Sequence, residues 1–298
     1  MFIIYGLAGH AKNIVEYMVL RVFRIFATKL PLGFLIALGE IIAYVCSSVL
    51  QYRRSEVEDH LTLAFPDQDS DWRKKISLDS YKHFGRECLS FLRTPNPCLQ
   101  EDIEITGFEA LVESLEKGSG VMMVSGHLGN WEVGATALAA RGIPIDVVAL
   151  RQRNPFVDKY LVDLRKIAGV GVIRNGDGAY AILESLRNGK VIGCLGDQNP
   201  VGSSVTVDFM GVPSRTAKDS VTLTLRSGAE LFFASCVLPS CGRRKYRLEL
   251  EKISIPSKQN RVEMIEKLTK DHTQLLETAI RRNPDQYLWH HRRWKDRG

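Results

Sequence analysis

The 298-residue chain reads as an α/β protein, a mostly parallel or mixed sheet flanked by helices, with a helical N-terminal extension that associates with a membrane. Three observations predict this. From residue 102 onward, short apolar, β-branched runs alternate with amphipathic stretches, the pattern of strands buried between helices. Before that point the periodicity is helical throughout. Residues 30–50, LPLGFLIALGEIIAYVCSSVL, form a 21-residue run whose one formal charge is Glu40.

Residues 1–52 make up the extension. Between 12 and 27, Ile14, Val15, Met18, Val22, Ile25 and Phe26 are interspersed with Lys12, Arg21 and Arg24, a mixture suited to a helix lying in a headgroup layer. The run 30–50 is long enough to cross a bilayer core. Pro31, Gly33, Gly39 and the central Glu40 argue against a span, since a mid-bilayer carboxylate costs about 3 kcal/mol. Arg21, Arg24 and Lys29 precede the run and Arg53 and Arg54 follow it, so the charge bias sets no orientation. The basic stretch is too long for a signal peptide and lacks an evident cleavage site. Attachment to the membrane surface is the expectation, with a buried helical hairpin and a true span as alternatives.

The α/β domain is read as 53–298. It opens with RRSEVEDHLTLAFP, a turn at Pro66–Ser70, and a helix from about Asp71 to Leu92 stopped by Pro95 and Pro97. Strands are expected at 102–106, 121–125, 145–150, 170–173, 191–196, 231–238 and 246–253. Helices are expected at about 107–117, 130–141, 155–168, 178–188, 216–227 and 259–281.

Composition narrows the class. Hydrophobic residues make 45% and charged residues 25% of the chain, which are globular values. A net charge of +6 and a pI near 9.0 point to an anionic partner. Six cysteines without a Cys-x-x-Cys pair suit reduced thiols in a cytoplasmic compartment, and Cys194 reads as a small buried residue. No metal motif of the His-Glu-x-x-His or Cys/His type and no RNA- or DNA-binding block is present, so neither metal, cofactor nor nucleic acid is expected.

The most informative segment is VMMVSGHLGNWEVG, 121–134. An apolar strand ends at Ser125, Gly126 turns the chain, and His127 stands at the strand's carboxyl end before a helix, where open α/β sheets place ligands. Glu132 follows by five residues. Across a strand-to-helix turn its carboxylate can fold back onto one imidazole nitrogen and leave the other free as a general base. A satisfied core histidine fits the same spacing. Gly126, Gly129 and Asn130 are candidate oxyanion donors. Arg151, Arg153, Arg165, Lys166 and Arg174 fall near the ends of the next elements and form either a solvated basic face or a grip on an anion.

HLGNWE resembles the His-x4-Asp/Glu block of the glycerolipid acyltransferase superfamily. LTLAFP, RNP followed by Asp158, GDQNP at 196–200, VDFMGVP and NPDQYLWHHRRWK then match its bacterial lipid A late-acyltransferase branch in order, from about residue 50 to 297. Phosphatidylinositol mannoside acyltransferases share these blocks. The resemblance implies a cytoplasmic-face inner-membrane enzyme that carries a fatty acyl group from acyl carrier protein, or acyl-CoA, to a hydroxyl of an anionic glycolipid such as a lipid A precursor. A phosphatidylinositol mannoside or lysophospholipid acceptor is the alternative, as is an inactive lipid-binding protein. In this reading His127 deprotonates the acceptor and Glu132 orients it. Arg165, Asp197, Asn130, Arg153, Asn154 and Gln198 bind substrate. Tyr287 stands where the family tail commonly has Trp, and Lys218 and Asp219 where it has small residues.

Overall fold

The computed structural model describes residues 2–96, 103–174, 176, 178–200, 202–239, 245–257 and 260–294, with side chains from residue 9 onward. Four helices come first: α1 (Phe2–Lys29), α2 (Leu32–Tyr44), α3 (Arg54–Ala64) and α4 (Ser70–Phe91), with a π-helical turn at Val45–Val49 between α2 and α3. Alternation then begins with β1 (Glu104–Thr106), α5 (Phe108–Glu116), β2 (Val121–Ser125) and α6 (Trp131–Ala140). It continues through β3 (Ile145–Ala149), α7 (Pro155–Ile167), β4 (Val170–Arg174), α8 (Gly178–Arg187) and β5 (Val191–Leu195). A hairpin of β6 (Ser204–Phe209) and β7 (Val212–Ala217) follows, then α9 (Asp219–Ser227), β8 (Glu230–Val237), β9 (Arg247–Ile253) and α10 (Arg261–Arg282).

Seven strands form one sheet in the order β1-β9-β8-β2-β5-β3-β4. All neighbours are parallel except β8 and β9, so the expected mostly parallel α/β class is what the chain adopts. Both faces are covered. Along β2, Val121 and Met123 pack toward α5 and α6 with Leu111, Val133 and Ala137. Met122 and Val124 pack on the other side with Val221, Leu276 and Ile280. A central strand buried on both faces has no polar alternation to keep, which is why VMMVS is apolar end to end. The hairpin β6–β7 is not among the expected strands, and the helix expected from 216 starts at Asp219.

The first two helices pack on the rest of the chain. α1 lies against α7: Tyr17 meets the rings of Phe156 and Tyr160 at 6.0 and 5.7 Å, and Arg21 and Arg24 cover Tyr160 at 5.3 and 5.7 Å. α2 crosses α4 where Gly39 meets Gly85, and a Cβ on Gly39 would stand 2.8 Å from the Gly85 carbonyl. The adjacent Glu40 pairs with Arg86 at 3.4 Å. Gly39 and Glu40 thus have packing roles on one face, while Phe34, Ile41, Val45, Val49 and Leu50 remain exposed. On α1, Val15, Met18, Val19, Val22, Phe23, Ile25 and Phe26 are exposed as well. Leu32–Val49 is long and apolar enough to cross a membrane, with mean hydropathy 1.9 and 22% of the segment buried.

Candidate active site

The centre of the site follows from strand register. β2 and β5 are parallel neighbours with Ser125 opposite Leu195, and each strand continues through one glycine, Gly126 or Gly196. The next residues, His127 and Asp197, therefore face each other at the carboxyl edge of the sheet. His127 Nδ1 lies 2.8 Å from Asp197 Oδ1, and the His127 backbone N–H donates to Oδ2 at 2.9 Å. An ionised carboxylate only accepts, so this bond fixes the proton on Nδ1 and leaves the lone pair on Nε2. The side-chain amide of Gln198 donates to that lone pair at 3.2 Å. The ring of Trp131 stands edge-on to the imidazole at 5.0 Å.

This arrangement corrects the expected orienter of His127. Glu132 does not reach the imidazole; its carboxylate is held by Arg165, with Nε at 3.0 and 3.2 Å and Nη2 at 2.5 Å. Glu132 sits in the first turn of α6, pointing toward α7, and the Nδ1 position is already taken by a residue from the neighbouring strand. The Arg165 guanidinium also lies over Phe91 at 5.5 Å.

Two further expected binding residues are committed to structure. Asn130 caps α6, accepting from Val133 N at 2.9 Å, and its amide nitrogen donates to Glu87. Its side chain is thus engaged by its own helix through the oxygen and by α4 through one amide N–H. Asn154 caps α7 by accepting from Phe156 N and Val157 N at 3.0 and 3.3 Å, and it donates to Asn13 O and Glu16 on α1 at 2.8 and 2.9 Å. Arg153 is exposed in the loop before α7, beyond the carboxyl end of β3. Arg174, at the end of β4, is bound to Asp158. Burial pushes the Cys194 thiol up to about 12, so it is no thiolate nucleophile. Among the described residues no group of three or more His, Cys, Asp or Glu is arranged to hold a metal.

The C-terminal tail supplies residues that sequence reasoning did not assign. Tyr287 is buried, with its hydroxyl beside the Asp197 carboxylate, which it helps to keep ionised. Its backbone pairs with Leu128. On either side, Gly129 N donates to Gln286 O at 2.9 Å and Leu288 N to His127 O at 3.0 Å. Arg293 is buried and donates to Gln198 O at 3.3 Å. The tail thus clamps both the histidine loop and the aspartate loop. Its aromatic density is the one signal of this role in the sequence.

Burial alone would raise the Asp197 carboxyl; attraction to His127, the two bonds from that residue and the Tyr287 hydroxyl outweigh it and hold it at about 2. His272 and His290 are lowered to about 4 by burial and by nearby cations. The signs agree. The unfolded chain takes up protons first at His272 and His290 as pH falls from about 6.5 to 4, then at Asp197 from about 4 to 2. Stability is expected to fall through both windows, the lower one amounting to about 2 kcal/mol. Melting temperature followed from pH 7 to 2.5 checks this: Asp197→Asn should keep the upper loss and flatten the lower one. An unchanged lower slope would remove Asp197 from the account.

Known proteins are similar to this chain over much of its length. The model of the family described as bacterial lipid A biosynthesis acyltransferase matches residues 8–296. A phosphatidylinositol mannoside acyltransferase of Mycolicibacterium smegmatis is 25% identical over 166 residues, 54% of this chain and 55% of that protein. The match therefore spans about half the length of that relative. The lipid A palmitoleoyltransferase of Escherichia coli K12 is 23% identical over 280 residues, 90% of this chain and 87% of that protein. The lauroyltransferase of the same strain is 23% identical over 90% and 88%.

Proposed function

Because the chain belongs to the bacterial lipid A biosynthesis acyltransferase family, we propose that it transfers a fatty acyl group from acyl carrier protein or acyl-CoA to a hydroxyl of a lipid A precursor, with His127 as general base. The observation that carries this reading is the His127–Asp197 pair, whose Nε2 meets the Gln198 amide. A thioester is already activated, so transfer needs no covalent enzyme intermediate. The acceptor hydroxyl displaces the Gln198 amide, gives its proton to Nε2, and its oxygen attacks the thioester carbonyl. As the carbon–sulfur bond breaks, the imidazolium returns the proton to the departing thiolate. Asp197 stabilises the imidazolium between these steps. The Glu132–Arg165 pair is a positioning element in this reading, tying the first turn of α6 to α7, with Arg165 also offered to an anionic headgroup.

Residues 1–52 act as the membrane-attachment segment, on the cytoplasmic face of the inner membrane. The exposed apolar residues of α1 and α2 support this, since each buried methylene contributes roughly 0.8 kcal/mol to partition. A second acceptor class has a specific observation behind it. The mycobacterial phosphatidylinositol mannoside acyltransferases match at 25–28% identity, though over half the chain. The test is acyl transfer by detergent-solubilised protein from labelled acyl carrier protein and acyl-CoA to a tetra-acylated lipid A precursor, a phosphatidylinositol mannoside and a lysophospholipid. Label is expected in the lipid A precursor. Label only in another acceptor would change the pathway; free fatty acid without acceptor would make the protein a hydrolase. No turnover with any donor would favour an idle lipid-binding protein.

A further inference from the structure

A buried carboxylate behind the site has no part in the mechanism above. Glu87, on α4, is largely enclosed, its side chain 11% exposed. The Tyr246 hydroxyl donates to its Oε2 at 2.6 Å, and the amide nitrogen of Asn130 donates to the same oxygen. Burial beside Glu87 raises the Tyr246 hydroxyl above its ordinary range, so it stays a donor. The Val133 backbone N–H can only donate and Glu87 Oε2 takes the amide nitrogen, so the two together set which way the Asn130 amide faces. The nitrogen must turn to Glu87, and the oxygen must turn to Val133 N, where it caps α6. The backbone on the other side is fixed as well. Asn130 N donates to Cys236 O at 2.8 Å, and Gly129, at φ +63°, passes so close to that carbonyl that a Cβ would collide with it. The first turn of α6 begins on this double anchor and carries Trp131 against the His127 ring and Glu132 into Arg165.

We propose that Glu87 is a positioning residue of the active site: through the Asn130 amide it sets the first turn of α6, and with it the seat of the His127 ring. This rests on the transferase reading for its kinetic effect, and on geometry alone for its structural one. It also accounts for the residue at 130. Aspartate caps helices as well as asparagine does, but here it would set a second carboxylate against Glu87.

The test is a reciprocal exchange using the full chain: wild type, Asn130→Asp, Glu87→Gln, and both together. Asn130→Asp should lower kcat by about tenfold to a hundredfold, with KM for the acyl donor within about twofold. Glu87→Gln alone should cost under about fivefold, since its amide oxygen still accepts. The double variant should return to within about fivefold of wild type, because the amide introduced at position 87 can now donate to the carboxylate introduced at position 130. The His127 imidazole NMR cross-peak supplies a readout that needs no turnover. It should shift in Asn130→Asp and return in the double variant. An Asn130→Asp protein with wild-type kcat and an unmoved cross-peak, or a double variant no better than Asn130→Asp on either measure, would overturn the proposal. If Asn130→Asp fails to fold, a folded double variant with the wild-type cross-peak still supports the coupling, and an unfolded one counts against it. A wild type that shows the cross-peak pattern without acyl transfer would overturn the transferase reading and leave Glu87's positioning role standing.

Discussion

Asp197→Asn is expected to lower acyl transfer by about 10⁴-fold, the loss that a wrong histidine tautomer brings in a comparable carboxylate–histidine pair. The substitution changes almost no volume, so its effect is on protons. In the wild-type site Oδ2 accepts from the His127 backbone and Oδ1 from Nδ1. An asparagine there has one oxygen left. If that oxygen keeps the backbone N–H, the amide NH₂ faces Nδ1 and forces it to accept. The ring proton then moves to Nε2, and the lone pair that should take the hydroxyl proton is gone. The loss should appear in kcat, with the acyl donor's KM little changed. Glu132→Gln is the informative companion. Its carboxylate holds Arg165, so its loss should read out chiefly as a lower melting temperature. Activity surviving Asp197→Asn above one-tenth of wild type, together with a collapse in Glu132→Gln, would return the orienting role to Glu132.

That contrast marks where the sequence stops being legible. Glu132 is near His127 along the chain, and a five-residue offset across a strand-to-helix turn invites pairing. Asp197 is 70 residues away, and its nearness depends on β2 lying beside β5 rather than beside β3. Strand order is a non-local property that no window of residues carries. The clue is present in a weak form: VMMVS-Gly-His and VIGCL-Gly-Asp are strands of equal length with the same exit. The strands themselves are readable because buried parallel strands are short, apolar and bounded by turns. The hairpin β6–β7 is not, because its turn is Met210–Gly211, with φ of +58° and +80°, and a methionine at positive φ lacks the Asn-Gly or Asp-Gly signature of such turns. Asn130 and Asn154 look like ligand-binding residues in their motifs. Their caps follow from position, each directly before a helix, and the partners of their free ends lie on α4 and α1, again out of local reach.

Removing the base itself should cost about 10²–10⁴-fold in turnover, as His127→Ala, while the membrane association proposed for α1 and α2 should persist. The comparison with Asp197→Asn is the sharper part of the prediction. If His127 and Asp197 act as one unit, their losses cannot add, since a carboxylate with no imidazole to orient has nothing left to contribute. The double variant should therefore be no slower than the slower single variant. Stability should behave differently. Without the ring, Asp197 keeps the backbone N–H of residue 127 and the Tyr287 hydroxyl but loses its charge-assisted partner, so its carboxyl should rise from about 2 toward the ordinary range. His127→Ala alone should therefore soften the acid-induced loss of stability between about pH 4 and 2, and adding Asp197→Asn should change that slope little further. Kinetics and acid melts would then report the same pair by independent routes. Losses in turnover that multiply in the double variant would mean that the two residues serve separate steps, and that the imidazole takes its proton relay from elsewhere in the site.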